Sequence, residues 1–257
     1  MNRKTLFITG AAEGIGKAIA KLYISKGWTV GILDINDNTL NNTIQEIGKN
    51  AKPYVGSVTN DEDVSHALKS FTDLNGGKLD LLINNAGVLY TGEYDELDFE
   101  DHLAMVNVNL IGLMRVTYLA IPYLKNAKKS GIVNIASISS VTGVPQLEVY
   151  AATKSAVKSL TETFYLTLKK HGIKVSAILP HLVDTKMVED NKESLGVKSS
   201  KEAKSSPQQV ANKVWKAANG RGVHYPVSLD ASVLYILSGL LPTKWLLGAI
   251  KSLVKYK

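Results

Sequence analysis

Short, wholly apolar runs alternate with longer amphipathic stretches along most of this 257-residue chain. The runs read as strands over residues 4–9, 28–33, 52–55, 79–84, 131–137 and 174–179. Between them, apolar residues recur at helical spacing over residues 14–26, 37–49, 61–74, about 99–126 and 148–171. A strand that is apolar on both faces must be covered on both, so these strands belong to a parallel sheet between two helical layers. Right-handed crossovers then wind the sheet in both directions from its middle. The expectation is an α/β fold, a doubly wound parallel sheet, with no internal repeat and no interdomain linker. Residues 1–230 form its body and residues 231–257 an apolar and basic extension of the same domain.

Two segments break the rhythm. Residues 184–206 are rich in Lys, Glu and Ser and read as a mobile loop or lid. From Ala231 onward the chain is dense in Leu, Ile, Val and Trp. The apolar piece at 233–241 has nine residues before Pro242, too few to span a bilayer. Residues 245–256 are apolar on most of their circumference, with Lys244, Lys251 and Lys255 on or near one face. This end either folds over a pocket or an oligomer contact, or lies in a membrane interface.

The first strand runs into Thr-Gly-Ala-Ala-Glu-Gly-Ile-Gly, which places Gly10, Glu13, Gly14, Ile15 and Gly16 in a tight turn. Glycine lets the backbone turn sharply and approach a ligand closely. The helix that follows offers unpaired N–H groups to a pyrophosphate. The second strand ends at Asp34, eighteen residues beyond Gly16, with Ile35 next. A carboxylate there accepts hydrogen bonds from ribose hydroxyls and repels a 2′-phosphate, which favours NAD over NADP. The other reading of Asp34 is a cap for the next helix. The fourth strand ends in Asn84-Asn85-Ala86-Gly87, at the carboxyl edge where open α/β sheets bind ligands. Together these features give the sheet a dinucleotide-binding, Rossmann-type character.

Tyr150 and Lys154 lie one helical turn apart. A free phenol titrates near pH ~10, too high for a base at neutral pH. A fixed ammonium nearby favours the phenolate, so the pair is a candidate acid/base for an alcohol oxygen.

At this point the chain resembles the short-chain dehydrogenase/reductase family over roughly residues 4–185. The matching elements are Thr9-Gly10-x-x-x-Gly14-x-Gly16, Asn84-Asn85-Ala86-Gly87, Asn109-Leu-Ile-Gly112, Ser137 and Tyr150-x-x-x-Lys154. Tyr150 follows Ser137 by thirteen residues and Asn109 by forty-one, as in that family. The resemblance implies a catalytic tetrad. Tyr150 exchanges a proton with the substrate oxygen and Ser137 hydrogen-bonds that oxygen. Lys154 holds the nicotinamide ribose and depresses the tyrosine pKa, and Asn109 holds a water that links Lys154 to solvent. Blander roles exist: Ser137 as a strand-end cap, Asn109 as a buried amide at a helix kink.

The resemblance extends to the cofactor. Ser57 and Val58 fall where the family contacts adenine, with Ser57 in place of the usual aspartate. Pro180, Val183 and Thr185 fall at the nicotinamide carboxamide, with His181 where glycine is usual. His181 either shapes the pocket or faces solvent. Family members commonly pair through the helix that bears the tyrosine, which implies a homodimer or homotetramer. Where many members end in a strand and a Gly-Gly turn, this chain has His-Tyr-Pro-Val at 224–227 and then its apolar end. That end resembles members acting on lipophilic alcohols.

Composition narrows the remaining classes. The net charge of +7 is spread over clusters at Lys125, Lys128 and Lys129, at Lys198, Lys201 and Lys204, and at Lys244, Lys251, Lys255 and Lys257. None interleaves aromatics as a nucleic-acid surface would, so no nucleic-acid partner is expected. The chain has no cysteine, hence no disulfide framework or thiolate metal site, and the histidines show no metal spacing. It shows no apolar N-terminal signal, and a cytoplasmic location, with membrane association through the C-terminus as an alternative, is expected. The functional expectation is an NAD-dependent oxidoreductase acting on a lipophilic secondary alcohol or ketone. The alternatives are a cofactor-binding sensor without turnover and a peripheral membrane binder. No Gly-x-Ser-x-Gly elbow supports a serine hydrolase.

Overall fold

Seven parallel strands form one sheet in the order β3-β2-β1-β4-β5-β6-β7 in the computed structural model, which describes residues 3–203 and 205–253. Lys204 of the second basic cluster, and Lys255, Tyr256 and Lys257 of the expected C-terminal helix and tail, lie outside the described residues. The strands are β1 (Thr5–Thr9), β2 (Thr29–Asp34), β3 (Ala51–Val55), β4 (Leu81–Asn84), β5 (Ser130–Ile135), β6 (Ile173–Leu179) and β7 (His224–Pro226). Side chains alternate across the sheet, so β1 serves both layers. Leu6 and Ile8 pack with α1 (Gly14–Ser25), α2 (Asp37–Ile47) and α8 (Pro207–Asn219). Phe7 packs with α3 (Asp61–Asp73) and α5 (Leu113–Lys125) on the other side. The strand order reverses between β1 and β4, which opens a crevice at their carboxyl ends.

The long stretch at 99–126 is helical throughout, as α4 (Phe99–Val106), a π-helical turn (Asn107–Gly112) and α5. By length and composition Phe99–Lys125 could cross a membrane, yet Val116, Ala120 and Leu124 are buried against the sheet. Asn84 anchors this layer. Its Nδ2 donates to Thr117 Oγ1 on α5 and to Asn134 Oδ1 on β5, each at 2.9 Å. Asn134 Nδ2 continues the chain to Thr161 Oγ1 on α6 (Glu148–Thr167) at 2.9 Å.

Several boundaries differ from expectation. β5 stops at Ile135, and Ser137 caps a 3₁₀ turn at Ile138–Val141 by accepting from Ser139 N. The helix expected over 148–171 ends at Thr167, followed by a 3₁₀ turn and Gly172 at φ 73°. Residues 184–206, expected as a mobile loop or lid, carry short helical turns. Val183 bridges Ser205 at the neck, and the segment holds α7 (Lys186–Asp190) and a 3₁₀ turn at Ser200–Glu202. The alternation read from sequence stops at residue 179, before α8 and β7. Residues 224–226 do form a strand, because Ala177, Ile178 and Leu179 of β6 pair with His224, Tyr225 and Pro226 at the sheet edge. α8 carries a capping box, with Ser206 and Gln209 bonding each other's backbone N–H, and Pro207 in its first turn. The chain closes with α9 (Leu229–Leu240) and α10 (Thr243–Leu253).

Candidate active site

The crevice widens into a cavity of about 1570 Å³ that the expected site residues share. Its cofactor end is built from backbone. Gly10 sits at φ +64°, and a Cβ there would lie 2.7 Å from Ala86 Cα. A Cβ on Gly16 would strike the Gly10 carbonyl. Asn85 ties the same turn to β4, its Nδ2 donating to Thr9 O (3.0 Å) and Gly10 O (2.6 Å). Glu13 caps α1 without a side-chain hydrogen bond, so the first N–H groups of the helix are left for a ligand. This cradle fits a pyrophosphate. Glu13, Gly14, Ile15, Ala86 and Gly87 line the cavity beside it.

Asp34 borders the cavity and stiffens the turn, accepting from Ala12 N (2.8 Å) and Asn36 N (3.0 Å). It is not the cap of α2; Asn36 is, accepting from Thr39 N. Ile35 is exposed at the cavity rim. Ser57 and Val58 also line it. Ser57 Oγ is engaged in its own turn, with Thr59 N at 3.1 Å and Thr59 Oγ1 at 2.7 Å. Asp63, which the sequence did not single out, accepts from Ser57 N at 2.8 Å. That carboxylate stands six residues on, in the first turn of α3.

Ser137, Tyr150 and Lys154 meet on the cavity floor. Ser137 Oγ accepts from Ser139 Oγ at 2.9 Å and hydrogen-bonds Tyr150. Lys154 Nζ lies 5.5 Å from the centre of the Tyr150 ring and donates to Ile135 O at 3.1 Å. Burial pushes the Tyr150 phenol up to about 12, against the Ser137 hydrogen bond that draws it down. Burial pushes the Lys154 ammonium down to about 8. The expected lowering of the tyrosine by the lysine is therefore corrected. The ammonium is turned to a carbonyl and faces the ring, and loss of hydration sets the direction of the phenol's shift.

Asn109 stands behind this floor, almost fully buried in the π-helical turn. Its Oδ1 accepts from Val88 N (2.8 Å) and its Nδ2 donates to Val88 O (3.0 Å). The turn is thereby clamped to the segment after β4, which is the bridging role its residue type also allowed. Gly87 separates Asn109 from Lys154. A Cβ on Gly87 would lie 3.2 Å from Asn109 Oδ1 and 3.5 Å from Lys154 Nζ.

Pro180, Val183 and Thr185 line the cavity beyond β6. His181 lines it too. It helps hold the Asp230 carboxyl below its ordinary value: burial raises that carboxyl, and the nearby Ser228, the hydrogen bond from Ala231 N and the attraction of His181 outweigh it. The remaining wall is apolar: Met187 and Val188 of α7, Leu234 and Leu237 of α9, Leu246 and Ile250 of α10. Tyr235 OH and His224 Nδ1, 2.8 Å apart, tie α9 to β7. Gln146 was also missed. It lines the cavity at φ +62°, held by Glu93 and Glu148, and no sequence signal marks it. Among the described residues no group of three or more His, Cys, Asp or Glu could hold a metal.

Known proteins agree with this geometry. A 3-oxoacyl-(acyl-carrier-protein) reductase of Thermotoga maritima is 35% identical over 190 residues, 72% of this chain and 76% of its own. A 3-ketoacyl-(acyl-carrier-protein) reductase of Brucella melitensis, solved with NADH, superposes with a TM-score of 0.76 at 25% identity, covering 87% of this chain and 96% of that one. An actinorhodin polyketide ketoreductase solved with NADPH gives 0.81 at 27% identity, covering 88% and 96%. The short chain dehydrogenase family model matches residues 4–196, from β1 through the cavity floor to α7. The chain belongs to the short-chain dehydrogenase family, the oxidoreductases that use a nicotinamide cofactor on this doubly wound sheet.

Proposed function

We propose that this protein moves a hydride between NAD(H) and a lipophilic secondary alcohol or ketone, with Tyr150 as the acid/base. The observation that carries the reading is the meeting of Tyr150, Ser137 and Lys154 in the same cavity as the glycine cradle. The nicotinamide supplies or accepts the hydride when bound. The chain's own groups do the rest. Tyr150 gives its phenolic proton to a carbonyl oxygen in reduction and takes it back in oxidation. Ser137 donates to the same oxygen and steadies its developing charge. Lys154 brings a positive charge close to the phenol and to the cofactor ribose. Asn109 holds the floor in register through Val88 and carries the connection from Lys154 towards solvent.

In this reading Gly10, Glu13, Gly14, Ile15 and Gly16 hold the pyrophosphate at the start of α1. Asp34 and Ile35 meet the adenosine ribose, and Ser57 and Val58 the adenine. Asn85, Ala86 and Gly87, with Pro180, Val183 and Thr185, flank the nicotinamide. Asp34 favours NAD, since the lining from Leu33 to Thr39 and from Gly56 to Val58 contains no lysine or arginine to meet a 2′-phosphate. The body at 1–230 would carry cofactor and catalysis, and 231–257 the substrate wall. Pairing into a homodimer or homotetramer through α6 fits its exposed Leu166.

The test is turnover of secondary alcohols graded by chain length with NAD or NADP, followed at the reduced-nicotinamide absorbance. Rates that rise with chain length are expected. A preference for sugars or short hydroxy acids would overturn the lipophilic assignment, and no turnover of any alcohol or ketone would overturn the catalytic one. Asp34→Ala should shift the NAD to NADP ratio about tenfold towards NADP, and an unchanged ratio would remove Asp34 from cofactor choice.

A further inference from the structure

The helices that wall the cavity are apolar on both sides. Inward, Leu234 and Leu237 of α9 and Leu246 and Ile250 of α10 line the cavity. Outward, α9 shows Ile236 and Leu240, one helical turn apart, while Leu229 and Val233 border the cavity. Ile236 and Leu240 are 58% and 73% exposed, and on α10 Trp245 is 70% and Leu247 45% exposed. Among the described residues that line the cavity, none of these four appears. Exposed apolar side chains gathered on a helix pair mark a binding face.

We propose that this outer face of α9 and α10 docks on an anionic lipid surface. Leucine and isoleucine supply the apolar area, Trp245 suits the headgroup region, and Lys244 and Lys251 are exposed on the same helix pair. α10 carries no acidic residue, and Asp230, in the first turn of α9, is the single acid on the pair. Charge complementarity decides between occupants. A second copy meeting this face across a two-fold axis would set lysine-bearing surfaces against each other, whereas anionic headgroups neutralise them. The net charge of +7 acts in the same sense. At 12 and 11 residues the helices are too short to span a bilayer, so they lie along it. The cavity opens behind them, and a lipophilic substrate would pass from membrane to site across this wall; that last clause rests on the proposed substrate class, while the docking does not.

Flotation of the full chain with vesicles tests the docking. Recovery with vesicles of phosphatidylcholine and phosphatidylglycerol should exceed that with phosphatidylcholine alone about tenfold and fall at high salt. Ile236→Asp with Leu240→Asp should abolish recovery, and Lys244→Glu with Lys251→Glu should lower it about tenfold on the anionic vesicles only. Both variants change exposed side chains away from the cavity, so circular dichroism and NAD binding should match the parent. Because flotation needs no turnover, a failed alcohol screen leaves the docking result standing, and failed flotation leaves the substrate reading standing. Flotation with neither vesicle, or equal flotation of parent and variants, overturns the proposal. So does a solution mass that Ile236→Asp halves, since a second copy then covers the face.

Discussion

The two walls of the cavity are built on opposite principles. The wall from β1, β2 and β4 is fixed by backbone: Gly10 closes to contact on Ala86, Asn85 spans two carbonyls, and Asp34 holds Ala12 N. The wall from α7, α9 and α10 is fixed by loose apolar side chains, with Ala231, Leu246 and Ile250 the buried residues of the last two helices among those described. A ligand shared across a family can be gripped by rigid main chain. A ligand that varies is better met by side chains that can change without disturbing the fold. The family match ends at residue 196, so it takes in the glycine cradle, the floor and α7 but stops short of α9 and α10.

The sharpest division comes from Tyr150→Phe, at the floor where the walls meet. Turnover should fall about 10³-fold or more, because the proton donor is gone. NAD affinity, measured by calorimetry, should stay within a few-fold, since the cofactor wall is untouched. Surviving turnover would remove Tyr150 from the chemistry, and lost NAD binding would mean that floor and wall are one unit. Gly10→Ala strikes the wall itself. An alanine at φ +64° with its Cβ 2.7 Å from Ala86 Cα should cost at least about 2 kcal/mol in chemical unfolding and lower NAD affinity at least tenfold. A neutral result would show that the cofactor wall yields as readily as the other.

Lys154 measures what the floor gives up for function. Its folded pKa, near 8, lies below the ordinary lysine value, so the unfolded chain binds more protons between about pH 8 and 10.5. Stability from this group therefore rises with pH across that window, and the cost of burying the ammonium is fully present below pH 8. Lys154→Met should stabilise the fold by about 1–2 kcal/mol at pH 7, with the gain shrinking towards pH 10, while turnover collapses. Denaturant melts at the two pH values check it. A destabilised variant at pH 7 would mean that the hydrogen bond to Ile135 O outweighs the desolvation.

The same contrast explains what could be read from the chain alone. The strands apolar on both faces, the glycine turn and the Tyr150–Lys154 spacing are local patterns, and they carried the sheet, the cofactor wall and most of the floor. Non-local facts were not legible. Lys154 turns to Ile135 O across nineteen residues. The π-helical turn around Asn109 leaves no mark in apolar spacing. β7 was hidden because three half-buried residues ending in proline look like a turn until β6 is beside them. α8 is a different case, since Ser206, Pro207 and Gln209 spell a helix start in the sequence itself. The second wall was legible as apolar, and its two-sidedness emerged only when inner and outer residues could be separated.

The smallest effect probes that second wall where it is freest. Gly248 lies in the middle of α10, and a Cβ there would meet nothing within 4 Å. Glycine inside a helix costs about 0.5–1 kcal/mol relative to alanine, through the freedom it keeps when unfolded. Gly248→Ala should therefore strengthen α10 by that amount, the opposite sign to the same substitution at Gly10. The gain should appear in slowed amide exchange along α10, which opens locally, and hardly at all in the global unfolding midpoint. If the global midpoint rises by the full amount, α10 unfolds with the sheet and the cavity has one cooperative wall. If exchange in α10 does not slow, the helix is held by its contacts on the cavity and not by its own backbone, and the substrate wall is more rigid than its exposed leucines indicate.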